Sequence, residues 1–128
     1  MRKSQRLTPA AFRALAEAEL AAIPRRLREL LVNVAIETQD GPGLEAEELA
    51  EPGALLGLYA GATRAEMLGN DAHGSLPAKI YLYQRNMEDV SKNARELRAQ
   101  LRLTLRHELA HHFGFDDEEL ERVWPEGA

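Results

Sequence analysis

From Phe12 onward, apolar residues recur three and four apart. Phe12, Leu15, Ala16, Leu20 and Ile23 fall on one side of a 3.6-residue period, which predicts a helix over roughly residues 8–22. Thr8-Pro9 supplies its start: a hydroxyl that can cap the first turn, then a proline where a missing N–H does no harm. Pro24 restarts a short helical segment through Leu30. Over residues 31–38 the period changes to two, with Val32, Val34 and Ile36 on one side and Asn33 and Glu37 on the other, as in a strand with one buried face. Asp40-Gly41-Pro42-Gly43 reads as a turn, and the acidic stretch 45–51 as a solvated loop or short helix. Residues 55–62 are a second expected strand, whose glycines mark places where the backbone bends or is approached closely. After a loop over 69–77, residues 78–83 alternate again, with Ile80 and Leu82 against Lys79, Tyr81 and Tyr83.

The longest periodic segment predicts a helix from near Glu88 to Phe113, stopped by Gly114 at a position suited to a left-handed residue. Ala94, Leu97, Leu101, Leu105 and Leu109 form its core stripe, while Arg95, Arg98, Arg102 and Arg106 fall on a solvated face paired with nearby glutamates. His107 and His111 share a third face with Gln100 and Thr104. Asp116 is placed to cap a last short helix that ends before Pro125. A helix, three strands, a long helix and a short one make an α+β pattern: a small mixed sheet of about three strands with the long helix packed on it. The 128 residues correspond to a single domain, 1–128.

The chemistry is concentrated in residues 107–117, His-Glu-Leu-Ala-His-His-Phe-Gly-Phe-Asp-Asp. Two histidines four apart on a helix differ by about 40° around its axis, so both imidazoles point to one side, one turn apart. Both can therefore reach one Zn²⁺ at roughly 2.0–2.1 Å. Glu108 projects about 100° from His107, near such a metal but not on it, where a carboxylate can take a proton from an activated water. A catalytic zinc needs a third protein ligand, and the turn at Gly114 redirects the chain so that Asp117 supplies it. Its neighbour Asp116 is expected to cap the following helix, and the two could exchange roles. The chain has no cysteine, so a metal here is held by His, Asp or Glu alone. Two histidines and a carboxylate also suit Fe²⁺ and other divalent ions.

Charge narrows the partners. A formal net charge of -5 opposes nucleic acid as a partner. The basic opening, Met1 to Arg6, has no apolar run behind it, so a signal peptide is not expected there. The apolar stretch around residues 54–62 is too short to span a bilayer, so no membrane partner and a cytoplasmic location are expected.

The run from Arg106 to Glu118 resembles the small bacterial zincin-like metallopeptidases, minimal single-domain proteins with the pattern HExxHxxGxxD. The resemblance extends weakly to Leu55-Leu56-Gly57-Leu58-Tyr59 and Lys79-Ile80-Tyr81-Leu82-Tyr83. It implies a pared-down zincin fold in which the motif helix packs on a small sheet and an edge strand borders the cleft. It also implies His107, His111 and Asp117 as zinc ligands and Glu108 as the general base. Zinc-dependent peptide hydrolysis is the activity implied. The alternative is a metal-binding or protein-interaction module that keeps the fold without significant peptidase activity.

Four further residues are weaker candidates. His112 points about 100° away from His111, toward a supporting or surface role. His73 lies in a loop and reads as solvated. Tyr81 or Tyr83, on one face of the third strand, could donate to a developing oxyanion, but each reads more simply as a packed aromatic ring. If that strand is the one at the edge, its free backbone could pair with an extended peptide.

Overall fold

Thr8 Oγ1 accepts the Ala11 N–H at 3.1 Å, and Pro9 opens helix α1 (Pro9–Ala21), as the hydroxyl-proline start requires. The computed structural model describes residues 1–49, 51–69 and 76–125. After α1 come the short helix α2 (Arg25–Arg28) and strand β1 (Val34–Gln39). This strand begins later than its alternation suggests. Asn33 has φ 51°, the left-handed region, which breaks the extended chain and frees Val32 from the sheet. The acidic stretch carries a 3₁₀ turn at Leu44–Ala46, and a second lies at Pro52–Ala54. Strand β2 (Gly57–Ala60) follows, then a short helix α3 (Arg64–Gly69) that no periodicity predicts, and strand β3 (Ala78–Tyr83).

The sheet order is β1-β3-β2, with β1 parallel and β2 antiparallel to β3. The last strand in sequence is therefore the central one. Ala78, Ile80 and Leu82 are fully buried, whereas Lys79 and Tyr81 on the opposite face are only half-buried. Helix α1 packs against β1, and the long helix α5 against both β2 and β3. Phe12, Ala16, Ile23 and Leu27 join Leu97, Leu101, Leu105 and Leu109 in one apolar cluster under the sheet.

The helix expected from near Glu88 is in fact two. Helix α4 (Gln84–Asp89) follows β3 directly, and α5 (Ala94–Phe113) starts afresh where Asn93 Oδ1 accepts the Glu96 N–H at 2.9 Å. At its far end Gly114 has φ 75°. The Phe115 N–H returns to Ala110 O at 2.9 Å and the Gly114 N–H to His111 O at 3.2 Å, a Schellman close. Helix α6 (Asp117–Val123) then doubles back. Its return overturns one expectation for the arginine face. Arg95, Arg98 and Arg102 are exposed, with Arg102 forked onto Glu19, but Arg106 is buried under the C-terminal turn. Its guanidinium donates to Trp124 O at 2.8 Å and lies 5.7 Å from the Trp124 ring centroid, so it ties α6 to α5. Ala94, expected at the head of the core stripe, is exposed in the first turn of α5.

Candidate functional site

Strand β2 has one edge bonded to β3 and the other free. Tyr83 N–H donates to Leu56 O, so the antiparallel alternation turns the main-chain groups of Leu56 and Leu58 inward. Those of Gly57 and Tyr59 face outward along the free edge. The side-chain face of Gly57 looks onto α5, where a Cβ would sit 2.7 Å from Thr104 Cγ2 and 2.9 Å from Tyr81 O, with Glu108 Cγ at 3.6 Å. Only glycine allows so close an approach of strand to helix. Gly57→Ala is expected to cost about 1–3 kcal/mol, since Tyr81 O belongs to the backbone and cannot rotate away. Denaturant unfolding of the variant beside the native chain measures it.

Along this seam α5 presents His107, Glu108 and His111. Their potential ligand atoms lie within 4.8 Å of one another. The two imidazoles are exposed, with ring centroids 5.0 Å apart and planes inclined at 60°, and His111 Nδ1 is 3.8 Å from Glu108 Oε1. Glu108 itself is only 5% exposed. Burial pushes its carboxyl above the usual carboxylate range, while His111, His107 and the backbone N–H of Tyr59 pull the other way without cancelling the effect. The groove around the cluster is about 440 Å³ and is lined further by Leu55, Leu58, Gln100, Leu103 and Thr104, with no Lys or Arg among its described lining. Two exposed imidazoles beside a carboxylate, unopposed by positive side chains, fit a divalent cation.

The structure separates the two aspartates. Asp116 is the cap: its Oδ1 accepts the Glu119 N–H at 2.7 Å, and Glu119 Oε1 accepts the Asp116 N–H at 3.4 Å. The Glu119 N–H holds the Asp116 carboxyl below its ordinary value. Asp117 is the first residue of α6, exposed, its side chain outside the cap and outside the close His107–Glu108–His111 group.

Three of the weaker candidates lie outside the groove lining. Tyr83 is fully buried and its hydroxyl donates to Glu45 Oε2 at 2.8 Å. The same oxygen accepts the Gly43 N–H at 2.8 Å and Gln39 Nε2 at 3.2 Å, so Tyr83 secures the 40–46 turn. Tyr81 stacks on Tyr83 in the central strand. The strand at the groove is therefore β2, and neither tyrosine lines the groove. His73 lies outside the described residues. His112 is fully buried: Nε2 accepts the Val32 N–H at 3.1 Å, and Nδ1 lies 2.8 Å from Tyr59 Oη. Its position seven and eleven residues after Leu105 and Leu101 already put it in the phase of the core stripe. Nothing in the sequence singled out Tyr59.

Burial, with Arg64 nearby, depresses His112 to a pKa of about 4, from an ordinary 6.5. The unfolded chain then takes up a proton that the folded one refuses. This contribution is intact above pH 6.5 and is lost as pH falls from there toward 4, by up to about 3 kcal/mol. Denaturant unfolding of the metal-free protein at pH 7 and pH 4.5 should show this loss, and His112→Asn should lack that share of it.

Among the described residues no helix is long and apolar enough to cross a membrane. The family model for zincin-like metallopeptidases matches residues 31–125. No curated protein matches the chain. Among solved structures, a conserved hypothetical protein from T. thermophilus is similar in fold, with a TM-score of 0.52 over 84% of this chain and 94% of that one at 24% sequence identity.

Proposed function

Because this chain belongs to the zincin-like metallopeptidase family, we propose that it hydrolyses peptide bonds in a peptide or protein substrate, with His107, His111 and Asp117 holding zinc and Glu108 as general base. The observation that carries this reading is the placement of the Glu108 carboxylate between two imidazoles and the free edge of a strand, in an open groove. Zinc bound there supplies the Lewis acidity that polarises a scissile carbonyl and acidifies a water.

The rest is the work of the chain's own groups. Glu108 has a proton affinity raised by burial, which suits a base that takes a proton from water and must later release it to the leaving amine. The Tyr59 N–H on the free edge of β2 opposes that rise without cancelling it. Gly57 N–H, Gly57 C=O and Tyr59 C=O face outward along β2, where an extended peptide can pair as an added strand and lie across the histidines. Gln100 and Thr104 continue the polar line of the helix toward its N-terminus, while Leu103, 49% exposed, offers an apolar wall.

The test is a mixed peptide library incubated with the zinc-loaded protein and read by mass spectrometry. Cleavage that disappears in Glu108→Gln is the expected result. Absence of cleavage, or cleavage indifferent to Glu108, would favour the module that keeps the fold and the metal without peptidase activity.

A further inference from the structure

His112 follows a metal-ligand position directly, is wholly buried, and has no part in the chemistry just described. Its hydrogen bonds run in one direction. The Val32 N–H can only donate, so His112 Nε2 carries a lone pair and the neutral ring holds its proton on Nδ1. That proton goes to Tyr59 Oη, and the tyrosine's own proton goes to Ala62 O at 2.6 Å. One ring thus joins α5 to the segment before β1 through Nε2, and to β2 through Nδ1.

Tyr59 is tied to α5 by its side chain, which meets His112, and its main-chain N–H lies on the free edge of the same strand whose Gly57 packs beside Glu108, a Cβ there falling 3.6 Å from Glu108 Cγ. Glu108 and His112 are one turn apart on α5. The packing therefore closes a ring: Glu108 against β2 at Gly57, the Tyr59 hydroxyl to His112, and one helical turn back to Glu108. A slide of β2 along α5 has to break it. We propose that His112 and Tyr59 are positioning residues, a clamp that fixes where β2, with the Tyr59 N–H on its free edge, lies beside the Glu108 carboxylate and so where the base points. Its kinetic consequence rests on Glu108 being the base, whereas the clamp itself does not.

The two ring nitrogens allow the clamp to be separated from mere packing. In His112→Asn the amide nitrogen can stand near Nδ1 and keep the donation to Tyr59, losing the acceptor for Val32. In His112→Gln the amide oxygen can stand near Nε2 and keep Val32, losing Tyr59. Tyr59→Phe cuts the same link from the other side and leaves the Val32 bond intact. Two quantities are measured. The first is the shift and solvent exchange of the Tyr59 amide proton by NMR on the metal-free protein. The second is kcat and KM of the zinc-loaded protein on any peptide it cleaves.

His112→Gln and Tyr59→Phe are expected to move the Tyr59 amide resonance upfield and speed its exchange about tenfold or more. They should lower kcat about 10- to 100-fold, since small misplacements of a reacting group have that effect, with KM and zinc content within about twofold. His112→Asn should stay close to the native chain in both measurements. A Tyr59 amide unchanged in all three variants, or Asn and Gln failing alike, overturns the clamp. If no peptide is cleaved, the peptidase reading falls by itself, and the amide measurement still decides the clamp.

Discussion

Glu108→Gln should leave zinc content unchanged and reduce peptide turnover by about 10³-fold, within the 10²–10⁴ range that a positioned acid–base group supplies. Gln keeps the volume and can still accept from the Tyr59 N–H, so the groove and the two imidazoles are undisturbed. What it loses is the capacity to take a proton from water and return it to the leaving amine. A second outcome checks the same physics without substrate. Burial raises the Glu108 carboxyl above its ordinary 4.5, so the folded, metal-free protein holds a proton more tightly than the unfolded chain. That contribution is full below pH 4.5 and is lost as pH rises through the raised value, which leaves a buried carboxylate as a liability at neutral pH. Glu108→Gln has no charged form, so the metal-free variant should melt at the same temperature as the native chain or higher at pH 7. A variant that melts much lower would place Glu108 in the structural framework, and its loss of turnover would then say little about a base.

Removal of a ligand is the second large effect. His107→Ala and His111→Ala should each abolish stoichiometric zinc. Loss of a supporting partner alone weakens a metal site 10- to 100-fold, so loss of a ligand should exceed about 100-fold. Metal analysis of the purified chains, native protein near one equivalent and variants near none, reads this directly. The adjacent aspartates supply the sharper contrast. Asp116→Ala removes the α6 cap and should cost about 0.5–2 kcal/mol of stability while leaving zinc affinity within a few-fold. Asp117→Ala should do the reverse: little change in melting of the metal-free protein and a large loss of zinc. If Asp117→Ala binds zinc as the native chain does, the third ligand lies elsewhere, and the two-histidine, one-aspartate set has to be given up.

The difference between these aspartates shows where sequence reasoning had a handle. Capping is a local matter. Asp116 sits three residues before Glu119 and opens a helix, so its role depends only on neighbours along the chain. The same holds for Thr8, for Gly114 with its positive φ, and for the His107–Glu108–His111 face, which follows from helical geometry alone. The break between α4 and α5 was also local, since Asn93 stands at its cap. The unbroken helical periodicity around it hid the signal.

What a residue meets across the molecule was not legible. The alternation of Ala78 to Tyr83 marked a strand, but no pattern along one strand says which strands flank it; the pairing order made β3 central and put β2 at the groove. Arg106 belonged to an exposed row until α6 folded over it, and Tyr59 was one aromatic residue among several until β2 was laid against α5. Local periodicity, caps and motif spacing are written in contacts a few residues apart, and these sufficed for most of the elements, the α+β class and the shared His107–Glu108–His111 face. The edge strand, the buried arginine and the Val32–His112–Tyr59 hydrogen bonds behind the site depend on pairs 14 to 80 residues apart, such as Arg106 with Leu120 and Val32 with His112. Only packing decides those, because the energy that selects them comes from burying whole faces together rather than from any one neighbour along the chain.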